Sequence, residues 1–155
     1  MNRLAVLVAT VGGLGYFPFA PGTVGSAAGL LVYLPIRWLG LPMVEAAAIV
    51  VVFLVGAVTA TAAERHFGLI DPGPIVSDEV LGMLVTLAFL PVSVTGAIAG
   101  FVLFRIFDVI KPPPSSQLEA LPGGWGVMSD DLMAAIYAHL VLRGLCWYKP
   151  AWFLA

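Results

Sequence analysis

Arg105, Asp108 and Lys111 follow one another at three-residue steps in Arg105-Ile-Phe-Asp-Val-Ile-Lys-Pro-Pro-Pro114, and Asp130 and Asp131 close the stretch Gly123-Gly-Trp-Gly-Val-Met-Ser-Asp-Asp131. At i, i+3 the side chains of Arg105 and Asp108 meet on one helix face. A third stretch, Asp71-Pro-Gly-Pro-Ile-Val-Ser-Asp-Glu79, adds Asp71, Asp78 and Glu79. Carboxylates gathered in such number repel one another unless a cation holds them. Oxygen ligands without cysteine suit a hard ion, Mg²⁺ ahead of Mn²⁺ or Ca²⁺. Arg105 and Lys111 add permanent positive charge for the oxygens of a phosphate whose other oxygens face the metal. The implied substrate class is a phosphate ester at a membrane surface. The same residues also serve as helix caps and interfacial ion pairs, and clustering alone leaves both readings open.

The background makes these charges stand out. Of 155 residues, 61% are hydrophobic and 10% charged, with a mean hydropathy of +1.03, against roughly 25% charged residues in soluble domains. The chain reads as an integral membrane protein with one domain, residues 1–155. In such a medium each ionisable group costs several kcal/mol, so those retained have a use. A net charge of -2 with no basic stripe excludes nucleic acid as a partner. The lone Cys146 excludes an internal disulfide and reads as a small buried hydrophobe.

The expected fold is all-α, a compact helical membrane protein that combines transmembrane helices with shorter half-inserted ones. Residues 4–11 are apolar but too short to span, and they end in Gly12-Gly13-Leu14-Gly15. They follow a positive start, as in a signal peptide, but without a clean cleavage site, so the N-terminus is expected to be retained. Pro18-Phe-Ala-Pro-Gly-Thr-Val-Gly-Ser26 reads as a loop opening a helix. Its bare backbone N–H groups suit an anion, and its small residues equally suit close helix packing. Helices are expected at 24–39 and 43–65, with Glu45 just past the turn between them. Ser77 is the expected cap of a further helix, with Asp78 and Glu79 in its first turn.

Residues 80–107 pose a choice. As one helix they extend roughly 40 Å, beyond a bilayer core of about 30 Å. As a hairpin broken at Leu90-Pro-Val-Ser-Val they return Asp108 to the side of Asp78, and the hairpin is the reading adopted. Residues 115–121 are expected as a polar loop and 123–126 as a turn, with Ser129 capping a last helix over 130–145. On that helix Asp131, Ala135, His139 and Arg143 share a face. His66 and His139 are expected at interfaces or in packing rather than as ligands.

Together the four motifs beginning at Pro18, Asp71, Arg105 and Gly123 resemble the phosphatidylglycerophosphatase A family, in order and over most of the chain. The resemblance implies an all-helical, multi-pass enzyme of the bacterial inner membrane. It also implies Mg²⁺-dependent hydrolysis of the phospholipid phosphatidylglycerophosphate to phosphatidylglycerol and phosphate, in phospholipid biosynthesis. Asp78, Glu79, Asp108, Asp130 and Asp131 are then the expected metal ligands, and Arg105 and Lys111 the groups that stabilise the phosphoryl transition state. Thr23, Ser26 and Asp71 join Arg105 and Lys111 in phosphate binding, with Asp78, Asp108 and Asp131 among the catalytic residues. The rival expectation is a non-enzymatic transporter or channel subunit with acids lining an ion path. It requires charges inside the spans, whereas these sit at helix ends and in loops. Arg65, Arg105 and Lys111 favour a cytoplasmic site, and Arg37 at the opposite turn counts against it.

Overall fold

Proline and glycine punctuate the helices. Residues 2–155 are described in a computed structural model, in which α1 (Asn2–Ala9) leads through a 3-10 turn, Leu14–Tyr16, to α2 (Pro21–Leu39). Pro21 starts α2 and Gly40 ends it in the left-handed conformation. Pro42 starts α3 (Pro42–Phe67), and Gly68 ends it in the same way. Next come α4 (Ser77–Leu87) and α5 (Val94–Ile110), the hairpin expected from the break at Pro91. Ser93 caps α5 by accepting the Gly96 N–H at 3.2 Å. Lys111 ends it with φ 48°, where three prolines prevent continuation. A short α6 (Ser115–Leu118), the long α7 (Gly124–Tyr148) and a terminal α8 (Pro150–Phe153) complete the chain.

The centre of the fold is α4. Ten of its eleven residues are buried, because α2, α3, α5 and α7 all pack around it. At 1.5 Å per residue it rises about 16 Å, half of a bilayer core, so it is an enclosed half-helix rather than a span. Its apolar side chains Met83, Leu84 and Leu87 meet Tyr33, Phe104 and Leu142 in the main core. Gly25 and Gly29 bring α2 down onto it: a Cβ at Gly25 would sit 2.8 Å from the Val76 Cβ, and one at Gly29 2.7 Å from that of Met83. At the far end, Glu45 accepts the Phe89 N–H at 2.7 Å, and the Tyr33 hydroxyl donates to the Leu90 carbonyl at 3.0 Å. These two bonds hold the turn between α4 and α5.

Three local expectations are corrected. Helix α7 begins at Gly124 rather than Asp130, and Ser129 lies inside it. The glycines read as a turn are its first residues: Gly124 donates its N–H to Thr61 Oγ1 at 2.9 Å and lies against Ala57 and Ala60 of α3, where a side chain has no room. Ser77 is the first helical residue of α4, not its cap. Val76 holds the cap position, and Ser77 Oγ lies 4.0 Å from Met128 Sδ. The expected loop after the prolines contains α6, with Ser115 buried.

The outer surface is apolar. Val51, Leu54 and Val58 of α3 and Val94, Ile98 and Val102 of α5 are exposed in helical rows, which a water-facing surface rarely allows over such an area. Among the described residues one helix, α3, is long and apolar enough to cross a membrane. The protein is membrane-associated.

Candidate active site

Five helix ends meet at one pole. The start of α2, the connector after α3, the start of α4, the end of α5 and the second turn of α7 enclose a polar cavity of about 290 Å³. Asp71, Asp78, Glu79, Asp108, Asp130 and Asp131 line it, as do Arg105 and Lys111. Six carboxylates against two cations leave four negative charges uncompensated when all are ionised.

Two cations pair with several of the acids. Arg105 Nη1 lies 2.7 Å from Asp108 Oδ2 and 3.6 Å from Glu79 Oε1. Lys111 Nζ pairs with Asp130 Oδ2 and, at 3.2 Å, with Glu119 Oε2. Asp78, Glu79 and Asp131 stand closest together, each offering an oxygen within 4.8 Å of those of the others, and all three are buried. Asp78 Oδ1, Glu79 Oε2 and Asp131 Oδ2 have no hydrogen-bond partner. Burial, then the charge of Asp131, pushes the Glu79 carboxyl up to about 8. Burial, then Glu79, holds Asp78 well above the ordinary carboxylate range. Three buried carboxyls with orphaned oxygens are costly as they stand. A cation seated among them would satisfy those oxygens, and an all-oxygen set fits a hard ion.

The opposite wall offers positive charge. Burial lowers the affinity of Lys111 for its proton, but hydrogen bonds and charge from Asp130, then Glu119, outweigh this and raise it above the ordinary lysine value. Beside it, Ala20, Pro21 and Gly22 present the start of α2, where the helix dipole is positive. A Cβ on Gly22 would collide with Glu79 Oε1 and the Arg105 guanidinium, so only glycine leaves this corner open. Ala20, Asp71 and Lys111, all lining the cavity, have φ of 46°, 45° and 48°. Non-glycine residues rarely adopt such values, and they gather at functional sites.

Buried acids thus face fixed cations around one polar cavity, an arrangement able to handle a phosphoryl group. The profile of the family Phosphatidylglycerophosphatase A matches residues 7–146. The chain belongs to the phosphatidylglycerophosphatase A family. It is 39% identical to the Haemophilus influenzae protein named "Phosphatidylglycerophosphatase A", over 88% of this chain and 85% of that one. Identity to the Escherichia coli protein of the same name is 34%, over 88% and 80%. A Bacteroides thetaiotaomicron protein named "Putative phosphatidylinositol-3-phosphatase" is 36% identical over 93% of this chain and 94% of its own. No solved structure matches the chain. As a member of this family the chain is a phosphatase.

Of the residues expected in the phosphatase site, the fold brings together Asp71, Asp78, Glu79, Arg105, Asp108, Lys111, Asp130 and Asp131. It does not bring in Thr23 or Ser26. Because α2 begins at Pro21, Ser26 points into the helix packing, fully buried, with Oγ donating to the Gly22 carbonyl at 2.9 Å. Thr23 lies on the exposed outer side of α2. What reaches the cavity from this motif is the backbone of residues 20–22. Asp108 and Asp130 lie outside the close trio, each paired with a cation, although Asp130 Oδ1, like one oxygen of each trio acid, has no hydrogen-bond partner. His66 is exposed, and His139 Nδ1 lies 3.2 Å from the Thr86 carbonyl, away from the cavity.

Supporting residues escaped the sequence reading. Glu119 is the second partner of Lys111. Glu64 Oε1 accepts the Asp71 N–H at 3.0 Å and holds that strained residue in place. The Tyr137 hydroxyl donates to the Pro113 carbonyl at 2.6 Å, tying the proline run to α7. The only signal for Glu119 and Glu64 was an acid in or beside a polar connector. Tyr137 gave none.

Proposed function

We propose that the protein hydrolyses the phosphomonoester of phosphatidylglycerophosphate to phosphatidylglycerol and inorganic phosphate, with Mg²⁺ held by Asp78, Glu79 and Asp131. The observation that carries this reading is the trio of buried carboxylates with orphaned oxygens, facing Arg105 and Lys111 across one cavity. Bound there, the ion supplies charge neutralisation at the phosphate and a more acidic water. Arg105, steadied by Asp108, and Lys111, steadied by Asp130, are aimed at the charge that gathers on the phosphoryl oxygens in the transition state. The Gly22 N–H, at the start of α2, adds a fixed dipole on the same side. In the reaction, water oxygen bonds to phosphorus and the bond from phosphorus to the glycerol oxygen breaks. One water proton passes by way of a cavity carboxylate outside the trio, Asp108 or Asp71, to that oxygen, and the other stays on the phosphate, which leaves as hydrogen phosphate.

A multi-pass arrangement accompanies this reading. Helices α2, α3, α5 and α7 run between the pole of the cavity and the far pole, so the site lies at a membrane surface rather than at mid-depth. Basic residues divide four to three: Arg65, Arg105 and Lys111 stand at the cavity pole, with Arg3 one turn before Val6, which packs on Ala60 and Ala63, and Arg37, Arg143 and Lys149 lie toward the other. The excess at the cavity pole is a single charge, in the sense of the cytoplasmic site expected from the sequence.

The test is phosphate release from phosphatidylglycerophosphate by the purified protein in detergent, with Mg²⁺ and with a chelator. Phosphatidylinositol 3-phosphate is run in parallel because of the Bacteroides relative. Release that requires the metal and prefers phosphatidylglycerophosphate is the expected result. No metal-dependent release from it would sink the proposal.

A further inference from the structure

The polar cavity has an apolar neighbour. Arg105 lines the cavity and also a groove of about 490 Å³ on the outer surface, formed with Thr23, Phe101, Val102 and Ile106. A second groove of about 510 Å³, bordered by Ala27, Leu31, Leu34, Ala97 and Ile98, continues between the same two helices. Thr23, Ala27, Leu31 and Leu34 succeed one another at four, four and three residues along α2, as Ile98, Val102 and Ile106 do at four along α5. The two grooves are therefore consecutive stretches of one cleft. Its cause is the packing of α2, which seats its glycine side on α4 and leaves the seam with α5 unfilled.

We propose that this α2–α5 cleft holds an acyl chain of the phospholipid substrate, with Arg105 at the junction of headgroup and hydrocarbon. The inference rests on the function proposed above and adds the route by which a lipid is recognised. Three observations select this occupant. Between Arg105 at its upper end and Arg37 and Ser93 at its lower end the cleft is lined mainly by apolar side chains, and it is open on the outer surface, so a chain enters sideways from the bilayer. Its upper end shares Arg105 with the phosphate cavity, so a chain lying in it and a phosphate lying in the cavity belong to one molecule. From Thr23 to Leu34 the cleft descends about 16 Å at 1.5 Å per residue, the depth of one leaflet of a core about 30 Å thick. An apolar cavity of about 200 Å³ between α1 and α3 also approaches the site, at Ser77 and Val80, but it has no charged residue in its wall to join it to the headgroup.

Ala27 sits part-way down the cleft, is exposed and touches none of the cavity. Ala27→Trp fills the cleft there without disturbing the core. The experiment compares kcat/KM for phosphatidylglycerophosphate carrying two palmitoyl chains with that for the dibutanoyl compound, in mixed micelles of fixed composition. Binding energy from remote parts of a substrate is expressed at the reacting centre, so Ala27→Trp is expected to lower the palmitoyl value about tenfold or more and to leave the dibutanoyl value unchanged. Val58→Trp, on the exposed side of α3, leaves both unchanged. In the wild type, a substrate with a photoactivatable diazirine in its acyl tail is expected to label peptides of α2 and α5. Unaltered chain dependence in Ala27→Trp, or labelling confined to α1 and α3, overturns the cleft alone. A wild type that releases phosphate from neither compound overturns the reading of the site and the cleft with it.

Discussion

Replacing Asp131 with asparagine keeps the shape of the site and removes one charge from the orphaned trio, and it is expected to move stability and activity in opposite directions. The rise of Glu79 from 4.5 to about 8 corresponds to about 5 kcal/mol in favour of its neutral form, at about 1.4 kcal/mol per unit. Burial is the larger cause and Asp131 the next. Two unit charges no more than 4.8 Å apart repel by about 3 kcal/mol at an effective dielectric of about 20. In a chelator at alkaline pH, Asp131→Asn should therefore raise the unfolding temperature, by relieving repulsion of that order with Glu79 and with Asp78. With the third charged ligand gone, the rise in unfolding temperature on adding Mg²⁺ should shrink, and phosphate release should fall by several kcal/mol of transition-state stabilisation, about a hundredfold or more. Thermal unfolding followed by tryptophan fluorescence in detergent, with and without Mg²⁺, reads the first two effects, and phosphate release reads the third. A variant that is less stable in chelator, keeps the full Mg²⁺ response and turns over near the wild-type rate would refute the cation site and the electrostatic argument behind it.

Four further outcomes are expected. Asp108→Asn unfastens Arg105 from α5, and turnover should be lost while the unfolding temperature stays close to that of the wild type. Ser26→Ala removes only a hydroxyl bonded within α2 and should leave KM and kcat unchanged, whereas a marked rise in KM would return this serine to the phosphate site. Glu45→Ala leaves the Phe89 N–H without its partner at the far turn, costing about 1–3 kcal/mol, which should lower the unfolding temperature and spare the activity of the folded molecules. The pH dependence follows from Glu79 and Asp78, whose carboxyls hold protons in the fold that they release in the unfolded chain. Between about pH 4.5 and about pH 8 the folded form binds more protons, so metal-free stability should decline as pH rises through that window, and Mg²⁺ should flatten the decline. A stability that instead climbs across the window would remove the buried-acid account.

The sequence carried the charge inventory and the hairpin because both rest on strong local signals. Acids are scarce in so apolar a chain, and Pro91 breaks the long run after Glu79 where a return to the same pole is needed. The start of α7 was not legible. Four glycine-rich residues before Asp130 read as a turn by local preference, and only the nearness of Ala57, Ala60 and Thr61 on α3 makes them helical. The position of Ser26 was hidden for a related reason: one residue's shift in the start of α2 decides which side chains face the cavity. The close approach of Asp78, Glu79 and Asp131 depends on distances between α4 and α7, which spacing along a chain does not encode. Family likeness supplied the residues, and geometry separated their roles.

The enclosure of α4 bears on how the protein is made. A segment of eleven residues headed by two acids is too short to cross a bilayer, and a carboxylate within hydrocarbon is costly. It can settle only as the partner of α5 and under the cover of α7, the last long helix to leave the ribosome. A nascent chain halted before Gly124 should accordingly keep Ser77 reactive, as Ser77→Cys, toward a water-soluble maleimide, and the reactivity should vanish once residue 148 has been released. On the proposed function the site is complete only once α7 has packed on α4, so a half-made copy has no site with which to act on its membrane.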